Sequence, residues 1–246
     1  MKIIRSLLLT LYAFWVLLVF TVFMLVLLPG IILPFFIGRK YTWIGYKFLA
    51  FWSWIFSMLT FIRYSFHGRE NFKKGQSYIY VSNHTSFLDI PGLCLTIPGE
   101  FRPLAKKELL KIPVFGWIAR HAAVIVDRSS GESRKKSMDK LRKILEDQGL
   151  SILIFAEGTQ NRTKEILQPF KDGAFRIAID TQEPILPMVV VGAGPLMPPG
   201  TLRLKPGNIK VVVAPEISTT GLTYADIPKL KALTFDVMTQ LIVDHR

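Results

Sequence analysis

His84 and Asp89 stand five positions apart in Val81-Ser82-Asn83-His84-Thr85-Ser86-Phe87-Leu88-Asp89, directly after a short apolar run. The run reads as a strand, and the ends of strands are where α/β sheets place their sites. With Ser86 starting the next helix, Asp89 lies about one turn in, where its carboxylate can accept the proton of one imidazole nitrogen. The other nitrogen is then a free acceptor, so the two residues make a positioned general base that needs no serine or cysteine nucleophile. Such a base suits acyl transfer to an alcohol. The hydroxyl must lose its proton as it attacks a carbonyl, and a thioester already carries a good leaving group. A pair at this spacing also arises by chance, so the surrounding chain has to decide.

The elements that must position the pair follow a recognisable order. Beyond Gly68, short apolar runs alternate with amphipathic stretches, the pattern of an α/β domain. Tyr78 to Ser82, Ala123 to Val126, Ser151 to Phe155, Ile185 to Val191 and Ile209 to Val213 read as buried strands. Glu132 to Gln148 reads as a helix stopped by Gly149, and Ala225 to Val243 as a final helix with Pro228 in its first turns. Cys94 is the single cysteine, which excludes an internal disulfide framework; it reads as a small buried hydrophobe.

The first part of the chain differs. No residue from Ser6 to Gly38 is charged, a run longer than the roughly 20 residues that cross a hydrocarbon core as a helix. Its length and the lack of a small-residue cleavage pattern argue against a signal peptide. Pro29, Gly30 and Pro34 are expected to interrupt it, and Phe48 to Ile62 form a second, shorter apolar stretch. Basic residues flank both stretches on every side: Lys2 and Arg5, then Arg39, Lys40 and Lys47, then Arg63 and Arg69. The positive-inside rule puts all of these flanks in the cytoplasm, which a two-helix re-entrant hairpin satisfies better than two full spans. The expected division is residues 1–65 as membrane anchor and 66–246 as α/β domain. A net charge of +13 and an isoelectric point near 9.9 favour an anionic partner. Nucleic acid would account for the charge but not for the lipid segment, so none is expected.

Further motifs add to the first. Val124-Ile125-Val126-Asp127-Arg128, Phe155-Ala156-Glu157-Gly158-Thr159 and Ile185-Leu186-Pro187-Met188-Val189 follow Asn83-His84 and Asp89 in order, with Ala105-Lys106-Lys107-Glu108-Leu109 and Phe170-Lys171-Asp172-Gly173-Ala174-Phe175 between them. In these blocks, from about Tyr78 to Glu216, the chain resembles the 1-acylglycerol-3-phosphate acyltransferases of the glycerophospholipid acyltransferase family. The resemblance implies a mixed-sheet α/β acyltransferase domain flanked by helices, with the hairpin embedded in the membrane. It also implies that His84 is the general base, oriented by Asp89, and that the product is phosphatidic acid made from lysophosphatidic acid. Lys106 and Arg128 resemble the family's contacts to the acceptor phosphate, and the turn at Glu157, Gly158 and Thr159 is expected to line the acceptor site, its glycine allowing close approach of an anion. The bacterial members imply the inner membrane, with the catalytic domain on the cytoplasmic face.

Two positions depart from the family. Ala156 replaces a proline. Gln160 replaces an arginine associated with the acceptor phosphate, which leaves that role to Lys106, Arg128 or the displaced Arg162, or points to another lysolipid acceptor such as a lyso-ornithine lipid. The donor is an acyl thioester, of coenzyme A or of acyl carrier protein; no other cofactor and no metal is expected. Phe87, Leu88, Phe115 and Trp117 are candidates to line an acyl groove. No Gly-x-Ser-x-Gly elbow is present, which argues against a serine hydrolase.

Overall fold

The computed structural model describes residues 2–127 and 131–246. The chain opens with two antiparallel helices, α1 (Lys2–Ile37) and α2 (Thr42–Thr60). It then enters a sheet built from β1 (Ile62–His67), β2 (Ile79–Ser82), β3 (Phe101–Lys106), β4 (Val124–Val126), β5 (Ser151–Phe155), β6 (Ile185–Val191) and β7 (Gly207–Val213). The remaining helices are α3 (Asp89–Thr96), α4 (Phe115–Ala122), α5 (Gly131–Gln148), α6 (Gly173–Thr181), α7 (Ala193–Leu196) and α8 (Ile227–Asp244). The strand order is β1-β7-β6-β2-β5-β3-β4. From β6 to β4 the strands run parallel, β7 runs against β6, and β1 runs with β7. The sheet is therefore mixed, as the resemblance implied.

Central strands of such a sheet are buried on both faces, which is why β2 and β6 read as continuous apolar runs rather than alternating ones. Ile79, Val81, Ile185 and Val189 pack with α5, α6 and α8 through Leu141, Phe175, Ile177 and Met238. On the other face Tyr80, Leu153, Leu186 and Met188 pack with α3 and with the hairpin residues Val16, Met24, Ile31, Trp52 and Phe56. One hydrophobic cluster thus runs from α1 into the sheet.

Three expectations need correction. The prolines do not interrupt the first helix, which runs through Pro29 and Pro34 to Ile37; the turn comes at Gly38–Tyr41. Proline removes one backbone bond from a helix, but packing against a partner helix outweighs that loss here. Gly45 of α2 meets α1 so closely that a β-carbon on it would stand 2.5 Å from the Ile31 carbonyl oxygen. Tyr12 Oη and Trp15 Nε1 donate to the carbonyls of Thr60 and Leu59 at 2.5 and 2.8 Å, joining the other end of the hairpin. The division between residues 65 and 66 falls inside β1, which pairs with β7 over its whole length. Finally, the helix after His84 begins at Asp89 itself, not at Ser86.

A buried polar network also ties the hairpin to the sheet. Arg102 of β3 pairs with Glu100 at 2.6 Å and donates to the Tyr46 hydroxyl, while Glu100 accepts from the Thr42 hydroxyl at 2.7 Å. Tyr46 passes the chain on to the Ala122 carbonyl at 2.7 Å. Removing one partner of a buried pair strands the other charge. Arg102→Met is therefore expected to destabilise the protein by about 3–5 kcal/mol in detergent, read as a lowered thermal midpoint. Glu100→Gln added to it should recover part of the loss.

Candidate active site

Among the described residues, the blocks around His84, Lys106 and Glu157 reach the same edge, where the five parallel strands present their carboxyl ends. Pro103, Leu153 and Tyr80 lie level with one another in adjacent strands. Three residues further along each strand come Lys106, Ala156 and Asn83, followed by His84.

Asn83 is buried and clamps this edge. Its side-chain amide donates to the Val190 carbonyl at 3.0 Å and accepts the Val190 N–H at 2.7 Å, so it continues the β2–β6 ladder where backbone pairing stops. His84 comes next, with its ring stacked on Phe155, centroids 4.0 Å apart and planes 17° from parallel. Its Nδ1 lies 2.9 Å from Asp89 Oδ2. The same oxygen accepts the Thr85 N–H at 2.7 Å and the Ser86 N–H at 2.9 Å. An oxygen already facing two donors is an acceptor, so Nδ1 carries the proton toward it and Nε2 is left as the basic nitrogen. Asp89 has no exposed surface, whereas the His84 side chain retains 16%. The carboxylate is thus walled in and the imidazole open.

Glu157 departs from expectation. It faces inward, buried, with one oxygen accepting the His84 N–H at 2.9 Å and the other the Gln168 N–H at 2.8 Å. Its carboxylate fixes the backbone under His84 instead of presenting charge to a ligand. Burial raises its pKa above the usual glutamate value, against the pull of those two amides. The folded state therefore holds its proton more readily than the unfolded chain does. The resulting contribution favours folding below the ordinary glutamate pKa and is lost as pH rises through the raised one. Glu157→Gln should abolish that slope. It should also set an NH2 against one of the two amides, lowering stability by about 1–3 kcal/mol and slowing any reaction that depends on His84. Denaturant unfolding at a series of pH values measures both effects.

The other expected residues divide. Gly158 turns the chain with φ 77°. Thr159 is exposed and Gln160 half-buried on the loop that follows. The Asn161 N–H donates to the His84 carbonyl at 2.7 Å, and Arg162, the next residue, is exposed. Lys106 is exposed at the end of β3. Arg128 lies outside the described residues. Cys94 is part-buried and lines a cavity of about 1380 Å³, and burial pushes its thiol up to about 12.

The residues flanking Asp89 in the chain, Phe87, Leu88, Ile90 and Pro91, line the same cavity, which His84 and Asp89 themselves do not line; at about 1380 Å³ it exceeds the roughly 300–1,000 Å³ of ordinary small-molecule sites. One wall is α1 from Ser6 to Leu25; the others come from α2, α3, the start of α4 and the loop from Met197 to Lys205. Of the acyl-groove candidates, Phe87, Leu88 and Phe115 line this cavity, while Trp117 is 65% exposed and outside the lining. Neither that loop nor the part played by α1 was legible in the sequence. The Pro-Gly-rich run after β6 was the available signal.

The acyltransferase family model matches residues 63–191, more than half of the chain. The chain belongs to the acyltransferase family. The chain is 35% identical over 172 residues to 1-acyl-sn-glycerol-3-phosphate acyltransferase alpha of Homo sapiens, covering 69% of this chain and 60% of that one. It therefore spans less than two thirds of the length of that curated relative. With the 1-acyl-sn-glycerol-3-phosphate acyltransferase of Limnanthes douglasii it shares 31% identity over 215 residues, 87% of this chain and 73% of the other. Its fold superposes on the 1-acyl-sn-glycerophosphate (LPA) acyltransferase, PlsC, of Thermotoga maritima with a TM-score of 0.80 and 25% identity, covering 99% and 97% of the two chains. The hairpin is thus part of the shared fold.

Proposed function

We propose that this acyltransferase moves a fatty-acyl group from an acyl thioester to the sn-2 hydroxyl of lysophosphatidic acid, forming phosphatidic acid. The observation that carries the reading is a part-exposed imidazole, backed by a buried carboxylate, whose chain neighbours Phe87 and Leu88 line a large apolar cavity walled by a lipid-type helix. His84 Nε2 takes the hydroxyl proton as the oxygen attacks the thioester carbonyl. The adduct collapses to ester and thiolate, and the imidazolium, stabilised by Asp89, returns the proton to the departing sulfur. No acyl-enzyme forms.

The position of the anchor supports the same reading. Away from the cavity, α1 exposes Leu7, Leu11, Leu18 and Leu33, and α2 exposes Phe51, Trp54 and Met58. Their opposite faces are packed on the domain, so the hairpin lies along the protein with one face free for lipid. An acceptor with one long chain resides in the bilayer, and a site held at that level meets it without extracting the tail. The basic flanks of both helices support a domain on the cytoplasmic face, in bacteria of the inner membrane, by the positive-inside rule.

A second acceptor is favoured by one observation: Gln160 carries no charge where the family has arginine. An assay of purified protein crossing acyl-coenzyme A and acyl carrier protein donors with lysophosphatidic acid and phosphate-free lysolipids separates the readings. Phosphatidic acid is the expected product. Transfer only to phosphate-free acceptors would replace the acceptor, and no transfer from either donor would remove the activity.

A further inference from the structure

Two loops close on the His84 turn from opposite sides. The loop after β5 is held by the Asn161–His84 backbone bond, and the loop after α7 by the Ser86 hydroxyl, which donates to the Met197 carbonyl at 2.8 Å. The second loop folds on itself, with the Thr201 N–H on the Pro198 carbonyl at 3.2 Å and the Lys205 N–H on the Leu196 carbonyl at 3.0 Å. Arg162 of the first loop lies across Gly200 of the second. A β-carbon on Gly200 would stand 3.2 Å from a terminal guanidinium nitrogen and 3.5 Å from the guanidinium carbon. Arg203 and Lys205 line the cavity and are exposed, which puts them at its rim. Among the described residues, none of these three cations takes part in an ion pair or donates a side-chain hydrogen bond. Cations gathered on facing loops repel one another, and a shared anion relieves that repulsion through charge-assisted hydrogen bonds.

We propose that Arg162, Arg203 and Lys205 form a receptor for a phosphate monoester, and that glycine at position 200 is what lets Arg162 take part. The proposal rests on the acyl-transfer reading and assigns the headgroup contact that uncharged Gln160 does not make. In the acceptor, the carbon bearing phosphate adjoins the carbon bearing the reacting hydroxyl. A hydroxyl at His84 Nε2 therefore leaves the phosphate within a short reach, where these two loops meet. Guanidinium groups suit a phosphate because their planar forks donate to two oxygens at once. The phosphates of the donor share this chemistry, so the test must tell the two sources apart.

Steady-state kinetics with lysophosphatidic acid and with monoacylglycerol, each against both thioester donors, provides that test. Arg162→Gln and Arg203→Gln are each expected to raise KM for lysophosphatidic acid about tenfold to a hundredfold, with little change in kcat and a much smaller effect on monoacylglycerol. Arg162→Lys should recover part of the loss. Gly200→Ala, which keeps every charge but displaces the guanidinium, should move KM in the same direction. A rise confined to the donor's KM would overturn the headgroup assignment and give the receptor to donor phosphate. Unchanged KM for every substrate would overturn the receptor itself. Calorimetric binding of lysophosphatidic acid to His84→Ala protein, with and without Arg162→Gln, reads the receptor without turnover. Retained, Arg162-dependent binding together with no transfer by the unsubstituted protein would sink the reaction and leave the receptor standing. Binding unaffected by Arg162→Gln would sink the receptor.

Discussion

His84→Ala is expected to lower acyl transfer by about 10²–10⁴-fold, the usual contribution of a positioned general base, while the protein still folds. The His84 side chain keeps 16% of its surface exposed and stacks on Phe155, so its loss leaves a gap over Phe155 and not a hole in the core. Asp89 loses one donor but keeps the Thr85 and Ser86 amides. Losing that charged bond lowers stability by about 1.5–3 kcal/mol, a shift in thermal midpoint that circular dichroism can follow. Added imidazole should enter the gap between Asp89 and Phe155 and restore part of the turnover. Full activity in the alanine variant would remove His84 from the chemistry. Lost activity together with lost folding would count against its open position.

Asp89→Asn should separate charge from geometry. All three donors converge on Oδ2. The two backbone amides therefore force the carbonyl oxygen of an asparagine, not its NH2, into that place, and the imidazole keeps its orientation. What disappears is the negative charge that stabilises the imidazolium formed during transfer. A pre-set charge of this kind is worth about 10²–10³ in rate, so kcat should fall on that scale while the thermal midpoint stays close to that of the unsubstituted protein. Asp89→Ala should behave differently. It leaves two buried amides without an acceptor at about 1–3 kcal/mol each, so it loses stability as well as rate. Equal thermal midpoints for the two variants would show that the carboxylate does not organise the turn.

The contrast between these variants shows what was readable beforehand. The spacing of His84 and Asp89 announced the pair, but the turn that brings them together was misplaced. Starting the helix at Ser86 made Asp89 an interior residue, whereas it opens α3 and folds back on the preceding amides. Local hydrogen bonds of this type depend on backbone angles that residue identity only biases. Glu157 shows the same limit. As a residue after a buried strand it read as a ligand contact, and its inward direction became visible only with Gln168, eleven positions on, supplying the second amide.

Composition and periodicity determined the rest of the frame: an uncharged apolar run that belongs in lipid, the alternating α/β pattern, and five of the seven strands. These are local signals, each carried by neighbouring residues burying one surface. β1 and β3 are not legible because Arg63, His67, Arg102 and Lys106 make them look polar, and the polar network around Arg102 joins residues from distant parts of the chain. Only tertiary structure decided that α1 passes its prolines, that its inner face becomes a wall of the cavity, and that Arg162 rests on Gly200. Each of these depends on contacts between segments far apart in sequence, where packing outweighs the preference of any single residue.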